Sequence, residues 1–418
     1  MKVLWFTNTP CSAGQKLGNK SPVGGWLVSL QKQLTELKPD IELGIAFLHS
    51  EQLEKFTFDS CEFYPIFQKN TGSKISRFWK RLVNYEDNEF ILRQITPIIN
   101  QFKPDVIHIH GTEECFGLLQ DITTVPVVIS IQGLINPYIE KYYSGISKQA
   151  TDKNEKISSK LLLNSYSYRY ANFLAKAKRE TQIMHLTKNL IGRTDWDRRV
   201  SKVIAPGSKY FFNNEILRDS FYSAAWKNNL ERSDNSFKII TTAGDNLYKG
   251  FETIVKTCML LKKHTNLLFE WIVVGVNKDS KIVQLVEKSL RIDLKLTGII
   301  FAGKKNETEI ISSFLNVDLY CQVSHIENSP NSLCEAMILG MPIIATFAGG
   351  TNSLIENNKE GILVQDGDHY SLAGAILECK DNYENAIRMS INARTRALKR
   401  HDPIGITDDL VKIYNCII

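Results

Sequence analysis

Short apolar runs alternate along the chain with longer segments in which apolar residues recur at helical spacing. In the N-terminal half the runs predict strands over residues 2–8, 41–48, 105–111, 127–133 and 189–193. In the C-terminal half they predict strands over residues 237–242, 271–276, 299–303, 317–323, 342–347 and 361–364. Helical patterns cover residues 26–37, 88–102, 158–186, 251–263, 307–315, 371–379, 383–399 and 404–418. This alternation is typical of α/β proteins with parallel sheets, in which ligands bind beyond the carboxyl ends of the strands.

The stretch from Val317 to Gly350 combines a strand, a polar loop, a helix and a second strand. Ser329 is a preferred type of residue for the N-cap of this helix, and Pro330 is preferred in the first helical turn. The next amides would then point outward at the positive end of the helix, where a phosphate binds readily. These amides belong to Asn331, Ser332 and Leu333.

Two carboxylates flank the start of this helix. Glu327 stands in the loop before it, and Glu335 lies about one turn deeper, where it could accept hydrogen bonds from ribose hydroxyls. A glutamate at this position of a helix is usually solvated, so the spacing alone is weak evidence. Glu335 lies among apolar residues, however, and a buried acid needs a partner. Together these features indicate a nucleotide-sugar site. The helix end would bind phosphate, one carboxylate would bind the ribose hydroxyls, and the other would lie nearer to the group that the phosphate carries.

The segment E-N-S-P-N-S-L-C-E, followed by A-M-x-x-G-x-P-I-I-A-T and a Gly-Gly pair, resembles the E-x7-E signature of the retaining glycosyltransferases of family 4. The resemblance implies an α/β fold of the GT-B class, with two Rossmann-like domains facing each other across a cleft. It also implies a donor sugar linked to UDP or GDP, no cofactor and no metal. The expected domains are an acceptor-side domain over 1–200, a nucleotide-sugar-binding domain over 201–385, and C-terminal helices over 386–418 that return to the N-domain.

Three sites in the N-terminal half extend the resemblance. Gly24 and Gly25 stand between a strand and a helix, where glycines let the backbone approach an anion. The resemblance places them beside the donor phosphates and the acceptor. His110 ends the strand 105–111 and would contact the transferred sugar or the acceptor, whereas His108 on the same face has a structural role. Gln132 ends the next strand, where the family often has histidine; it can bind a hydroxyl but cannot act as a base.

The loop 243–250 resembles the family loop that binds the donor diphosphate through an arginine and a lysine. Lys249 matches the lysine, but Asp245 stands about where the arginine is expected. Either Asp245 points away from the site or another cation compensates. Arg193, which follows the strand 189–193, is the candidate for a bidentate phosphate contact. The alternative is that Arg193 pairs with one of the acids at positions 195 and 197.

Composition limits the class of protein. At 418 residues, with 43% hydrophobic and 23% charged residues, the chain can form two globular domains. The eight cysteines are scattered, which favours buried thiols in a reducing compartment, and the net charge of +6 is mild. The sequence enters a strand directly and contains no apolar run long enough to span a membrane, so we expect a cytoplasmic protein without a signal peptide.

A basic amphipathic segment is the feature that suggests a membrane. Residues 73–83 place four cations among aromatic and aliphatic residues, which suits peripheral contact with an anionic surface at the inner face of a membrane. A solvated surface helix fits the same pattern, and no nucleic-acid partner is expected. The four cations are Lys74, Arg77, Lys80 and Arg81.

The function predicted from these features is sugar transfer from a nucleotide-diphosphate donor to a hydroxyl acceptor with retention, in the synthesis of a bacterial surface polysaccharide or glycolipid. Lys249 and the helix amides would stabilise the leaving diphosphate, Glu335 would bind the ribose, and Glu327 and His110 would orient the sugar and acceptor. Two alternatives stay open: a sugar-nucleotide 2-epimerase of the same fold, and a non-catalytic subunit that binds a nucleotide sugar, for which the missing arginine argues. A nicotinamide dehydrogenase is disfavoured because the first strand lacks a G-x-G-x-x-G.

Overall fold

The computed structural model describes residues 1–18, 25–68, 87–228 and 236–418. The chain forms two compact units. Unit 1 contains residues 1–139, 168–218 and 401–418, and unit 2 contains residues 140–167 and 219–400. The chain therefore passes four times from one unit to the other. The predicted domain boundaries at 200 and 385 remain predictions.

Unit 1 contains an eight-stranded sheet in the order β3-β4-β2-β1-β5-β6-β7-β8. All neighbouring strands are parallel except β3 and β4, which are antiparallel. The strands are β1 Lys2–Thr7, β2 Glu42–His49, β3 Phe56–Phe58, β4 Cys61–Phe67, β5 Val106–His110, β6 Val127–Ser130, β7 Asn189–Gly192 and β8 Lys209–Phe212.

Both faces of the central strands β1 and β5 are buried. Val3 and Trp5 of β1 belong to one apolar cluster, and Leu4 and Phe6 belong to another, because successive side chains of a strand point to opposite faces. Strands buried on both sides read as nearly continuous apolar runs, which is why the sequence pattern identified β1 and β5.

Unit 2 contains a six-stranded parallel sheet in the order β11-β10-β9-β12-β13-β14. Counted along the unit, this is the order 3-2-1-4-5-6 of the doubly wound nucleotide-binding fold. The strand order reverses between β9 and β12, which pair with each other. The strands are β9 Phe237–Thr242, β10 Phe269–Val274, β11 Ile299–Gly303, β12 Leu319–Gln322, β13 Ile343–Phe347 and β14 Ile362–Gln365.

The helices lie mostly where the sequence predicted them, with ends shifted by one or two residues. None in the described part of the chain is long and apolar enough to span a membrane. Short 3₁₀ turns cover Cys115–Asp121, Leu247–Lys249 and Leu294–Leu296. The α-helices are Ala13–Lys16, Gly25–Leu37, Asn88–Phe102, Ile135–Glu140, Lys148–Asn154, Ile157–Leu161, Tyr166–Leu186, Asp195–Ile204, Asp219–Ser223, Phe251–His264, Lys281–Leu290, Glu307–Leu315, Asn331–Leu339, Thr351–Leu354, His369–Asp381, Tyr383–Arg400 and Pro403–Ile417.

Two expectations about secondary structure were wrong. The long helix predicted over 158–186 is broken, because Leu163 adopts a left-handed φ of 49° and Asn164 donates to the Ser159 carbonyl, which ends the first helix. Residues 201–235, expected to be connecting structure, contain the strand β8 and buried aromatic residues. Phe221 is fully buried and Trp226 is 9% exposed.

The helix Pro403–Ile417 is tied to the first sheet by a chain of buried hydrogen bonds. The Tyr414 hydroxyl accepts from Trp5 Nε1 at 3.0 Å and lies 2.6 Å from His108 Nδ1. His108 Nε2 lies 2.6 Å from Ser130 Oγ, and burial lowers the pKa of His108 to about 3. His108 is therefore a neutral bridge between two strands and this helix, in agreement with the structural role expected for it.

We predict that Tyr414→Phe lowers the free energy of unfolding by about 1–3 kcal/mol, because Trp5 and His108 each lose a buried partner. Urea unfolding followed by tryptophan fluorescence measures the loss. Tyr370→Phe is the matched control, since Tyr370 is 68% exposed and should change stability by less than about 0.5 kcal/mol. Equal stability of the two variants would contradict the prediction.

Candidate functional site

The reversal of strand order in unit 2 creates a crevice between two loops. Loop 243–250 follows β9 and loop 323–330 follows β12, and these neighbouring strands send their following helices to opposite faces of the sheet. Ligands of such sheets bind at this point, beyond the carboxyl ends of the strands. Lys249 lies in the first loop and Glu327 in the second.

An ion pair joins the two loops. Lys249 Nζ lies 2.5 Å from Glu327 Oε1, which also accepts a hydrogen bond from Ser324 Oγ at 2.8 Å. Burial opposes the charge of Lys249, but Glu327 outweighs that effect and holds the pKa of the lysine above its ordinary value. Lys249 therefore carries a positive charge at neutral pH. Its side chain is 29% exposed, so this charge is accessible from the crevice.

Two glycines allow the backbone to approach this closely. Gly250 has a φ of 75°, and a Cβ there would lie 2.1 Å from the Val323 carbonyl oxygen. Gly349 has a φ of 57°, and a Cβ there would lie 2.0 Å from the Glu327 carbonyl oxygen. Any side chain at either position would therefore displace one of the loops.

The helix Asn331–Leu339 begins one residue later than expected, with Pro330 and not Ser329 at the N-cap. The Leu333 amide donates to the Pro330 carbonyl, so it is not directed at a ligand as the sequence suggested. The amides of Asn331 and Ser332 belong to the first turn, where no preceding helical carbonyl is available. Ser332 Oγ accepts a hydrogen bond from the Tyr320 hydroxyl at 2.9 Å, which fixes the start of the helix against β12.

Glu335 lies in the second turn of this helix and is 5% exposed. The surrounding helix is almost wholly buried, as its apolar sequence indicated. The structure thus places Lys249, Glu327, Asn331, Ser332 and Glu335 on the two loops and the helix at the switch point of one sheet.

Asp245 occupies the position where an arginine was expected. Its Oδ1 accepts hydrogen bonds from the Ile282 amide at 3.0 Å and from the Tyr166 hydroxyl at 3.2 Å. The carboxylate therefore lies at the N-terminus of the helix Lys281–Leu290, where a negative charge is stabilised. This geometry agrees with the alternative in which Asp245 points away from a bound diphosphate.

A buried histidine that sequence reasoning missed supports the second loop. His325 Nε2 lies 2.7 Å from Glu252 Oε1, and Nδ1 lies 3.4 Å from Asp366 Oδ2. Lys141 Nζ donates to the same Asp366 oxygen at 3.3 Å. Burial disfavours the charged imidazole, but the two carboxylates outweigh this effect and raise the pKa of His325. The sequence shows only one histidine two residues before Glu327. Its partners lie far away in the chain, so no local motif marks it.

In unit 1 the carboxyl ends of β5 and β6 bring His110 and Gln132 together. Gln132 Nε2 donates to the His110 carbonyl at 3.1 Å. The His110 ring is 3% exposed and packs against the edges of Trp5 and Trp26. Neither ring nitrogen has a hydrogen bond to a residue in the described part of the chain. Burial, His108 and Arg193 hold the pKa of His110 well below its ordinary value, so the imidazole is neutral.

Sequence reasoning also missed a carboxylate at this edge of the first sheet. Glu113 follows β5, and burial, reinforced by Glu180, raises its pKa to about 7. No sequence pattern marks it, because the effect depends on which side chains surround the loop after folding.

Arg193 is 4% exposed and forms an ion pair with Glu215 within unit 1. Its Nη2 donates to the Ile131 carbonyl at 2.6 Å, and its backbone amide donates to Asp197 Oδ2 at 3.0 Å. The ion pair of the guanidinium is therefore with Glu215, which the sequence did not suggest, and the expected acid at position 197 is contacted by the backbone amide. The assignment of Arg193 to a donor diphosphate remains a prediction.

Some predicted features lie outside the described residues or at their edge. Gly25 is the first residue of the helix Gly25–Leu37, whereas Gly24 lies outside the described part of the chain. The basic segment 73–83 also lies outside it.

One segment of the chain is similar to a known protein family. Residues 223–396 match the family model described as "Glycosyl transferases group 1". Over 224 residues the chain is 23% identical to a putative colanic acid biosynthesis glycosyltransferase of Escherichia coli, covering 52% of this chain and 51% of the relative. An amylovoran biosynthesis glycosyltransferase of Erwinia amylovora is 25% identical over 38% of this chain and 40% of its own length. The aligned segments thus span about half of these relatives or less.

Solved structures match over nearly the whole chain. Sucrose-phosphate synthase from Thermosynechococcus elongatus has a TM-score of 0.71 at 12% identity and covers 99% of this chain and 98% of its own. Anabaena HepE, solved in complex with UDP-glucose, has a TM-score of 0.63 at 14% identity and covers 100% of both chains. The predicted GT-B fold class, with two parallel-sheet α/β units, is confirmed.

The raised pKa of His325 gives a pH-dependent prediction. The protonated ring stabilises the folded protein fully below its unfolded pKa of 6.5, and this contribution is lost as the pH rises through the higher folded pKa. His325→Gln should therefore lower the melting temperature more at about pH 6 than at about pH 9. Calorimetric melting of parent and variant at both pH values tests this, with His264→Gln on the exposed face of unit 2 as the control. An equal loss at both values would mean that His325 is neutral when folded.

Proposed function

Because residues 223–396 match the model of the group 1 glycosyltransferases, we propose that the chain transfers a sugar from a nucleotide-diphosphate donor to a hydroxyl acceptor. The reaction retains the anomeric configuration, as in family 4, and serves the synthesis of a bacterial surface polysaccharide or glycolipid. The observation that carries the proposal is the Lys249–Glu327 pair beside the start of the helix Asn331–Leu339. It combines a cation, two amides and a carboxylate at the switch point of a nucleotide-binding sheet.

The donor occupies this crevice from the nucleoside to the sugar. Glu335 accepts hydrogen bonds from the ribose hydroxyls, and the amides of Asn331 and Ser332 bind phosphate at the positive end of the helix. Lys249 exchanges part of its contact with Glu327 for a diphosphate oxygen. Glu327 lies in the preceding loop and orients the sugar hydroxyls.

The chemical step forms one bond and breaks one. The bond between the anomeric carbon and the diphosphate oxygen breaks with its electron pair staying on oxygen, and the sugar becomes oxocarbenium-like. The acceptor oxygen bonds to the same face of that carbon and releases its proton to the leaving phosphate. The products are a glycoside and a nucleoside diphosphate. Lys249 and the two amides stabilise the negative charge that develops on the leaving group.

The relatives support the substrate class. Their names include glycosyltransferases of colanic acid and amylovoran biosynthesis and a GDP-mannose-dependent α-mannosyltransferase of Mycolicibacterium smegmatis. The structure of HepE contains UDP-glucose. These names favour a UDP- or GDP-linked hexose as donor and a saccharide or lipid-linked saccharide as acceptor.

The acceptor side is assigned to unit 1. His110 offers a neutral ring with both nitrogens lacking a described protein partner, so it can give one hydrogen bond and accept another. Gln132 adds an amide at the next strand end, and Gly24 and Gly25 allow backbone approach. Arg193 is kept as the candidate second phosphate cation, in exchange for its contact with Glu215.

The first test concerns the nucleoside. Calorimetric titration with UDP and with GDP should show binding of one of them, and Glu335→Ala should weaken that binding about tenfold or more. A hydrogen bond to a buried carboxylate is typically about 1.5–3 kcal/mol. Glu378→Ala, at an exposed glutamate of another helix in unit 2, is the matched control. Unchanged nucleotide affinity in Glu335→Ala would contradict the assignment of Glu335 to the ribose. Failure of both nucleotides to bind the parent protein would contradict the proposed donor site.

The second test separates turnover from binding. Glu327→Gln should reduce donor turnover at least about tenfold, roughly 1.4 kcal/mol of activation free energy. The affinity for the free nucleotide diphosphate should not fall, because Lys249 loses a competing carboxylate. Glu356→Gln removes an exposed carboxylate paired with Lys359 and is the control. A loss of nucleotide affinity with unchanged turnover would place Glu327 at the diphosphate and not at the sugar.

A further inference from the structure

Unit 2 exposes three large aliphatic side chains on one short turn. Ile157, Leu161 and Leu162 are 74%, 72% and 71% exposed, and we call them the apolar tip. Ile157 and Leu161 are four residues apart in the helix Ile157–Leu161, so they lie on the same face. Single exposed leucines are ordinary on protein surfaces, but three adjacent aliphatic residues this exposed mark an interaction site.

The apolar tip stands on a well-anchored base. On one side Asn154 Nδ2 donates to Ser289 Oγ at 3.1 Å, and on the other Lys281 Nζ donates to the Asn164 carbonyl at 2.7 Å. Tyr166, which begins the next helix, is 1% exposed. Both ends of this segment are thus hydrogen-bonded to the rest of unit 2, and the aliphatic side chains between them are exposed to water.

The exposed charge of the segment that carries the apolar tip is positive. Lys153, Lys156 and Lys160 are all exposed. The two acids of this segment are partly buried and turned inward: Glu155 Oε1 accepts from the Tyr166 amide at 2.9 Å, and Asp152 Oδ1 accepts from Ser167 Oγ at 2.5 Å. The tip therefore presents three aliphatic side chains rimmed by three cations.

We propose that the apolar tip inserts into the interfacial layer of an anionic lipid bilayer, with Lys153, Lys156 and Lys160 bound to the headgroups. Aliphatic residues flanked by lysines suit this environment, because the lysine stems lie along the apolar boundary and the ammonium groups reach the phosphates. None of these residues belongs to the donor site described above.

A protein partner fits these observations less well. A stable protein interface buries about 800 Å² on each side and is depleted in lysine at its centre, whereas this patch consists of three aliphatic residues within a rim of lysines. In a symmetric pair of copies, the same patch would meet itself and bring like charges together.

The main experiment is flotation with vesicles of phosphatidylcholine alone and of an equimolar mixture with phosphatidylglycerol. The parent should bind the mixed vesicles at low salt and less at high salt. The triple variant Ile157→Ser, Leu161→Ser, Leu162→Ser should bind at least about tenfold more weakly, because three insertable side chains are lost. Failure of the parent to bind mixed vesicles, or equal binding of the variant, would overturn the proposal.

The matched control removes exposed aliphatic side chains elsewhere in unit 2. Leu268, Leu296 and Ile391 are 66%, 61% and 60% exposed, and their triple serine variant should bind as the parent does. The corresponding change of the four cations in 73–83 to glutamine tests the other segment. If that variant alone loses binding, the apolar tip is not the contact.

A labelled protein tests insertion without removing the patch. Of the eight cysteines, Cys416 is exposed and the other seven are buried. In a Cys416→Ser background, Leu162→Cys carrying an environment-sensitive fluorophore should shift to the blue with mixed vesicles, and the same label at Leu268→Cys should not. A label at position 162 that stays in water would overturn the proposal. So would a parent that is a dimer without vesicles when the triple serine variant is a monomer.

Discussion

The geometry of unit 2 depends on the close approach of the two loops that leave β9 and β12. The strand order reverses there, so the helices that follow the two loops lie on opposite faces of the sheet and a crevice opens between the loops. Lys249 and Glu327 bridge it. Their contact requires Gly250 and Gly349 to lie in van der Waals contact with the backbone of the loop after β12. The sheet topology, the two glycines and the ion pair therefore depend on one another.

Each cation at this crevice lies against at least one carboxylate. Lys249 is paired with Glu327, and His325 is placed between Glu252 and Asp366. A buried charge without a partner costs free energy. A buried charge that has a partner can exchange it for a ligand whose charge has the same sign as that partner. In the proposed function, a diphosphate that enters the crevice would replace carboxylate contacts of Lys249 with phosphate contacts, so the cation would stay compensated with and without the donor. Asp245 is removed from this exchange by the helix that it caps.

The sequence was most informative where local pattern and tertiary structure agree. Strands buried on both faces appear as apolar runs, and the spacing from Glu327 to Glu335 places both residues beside one helix start. The strands β3, β4 and β8, which lie at or next to the edges of the first sheet, were missed because their apolar runs are short or interrupted. Glu215, His325 and Glu113 were missed for a related reason. Their surroundings come from segments far apart in the chain, and no local spacing encodes them.

The hydrogen bond between Trp5 and Tyr414 joins residues 409 positions apart. During synthesis, the first strand therefore exists long before the helix that satisfies its indole and the His108 ring. While both intervening segments of unit 2 are made, these two groups lack their protein partner, and the apolar surface later covered by Leu410 and Ile413 stays exposed to water. Unit 2 needs no such delay after residue 400, because all its strands and helices have then been translated. Unit 1, which begins first in the chain, can therefore complete its packing only after all of unit 2 has been translated.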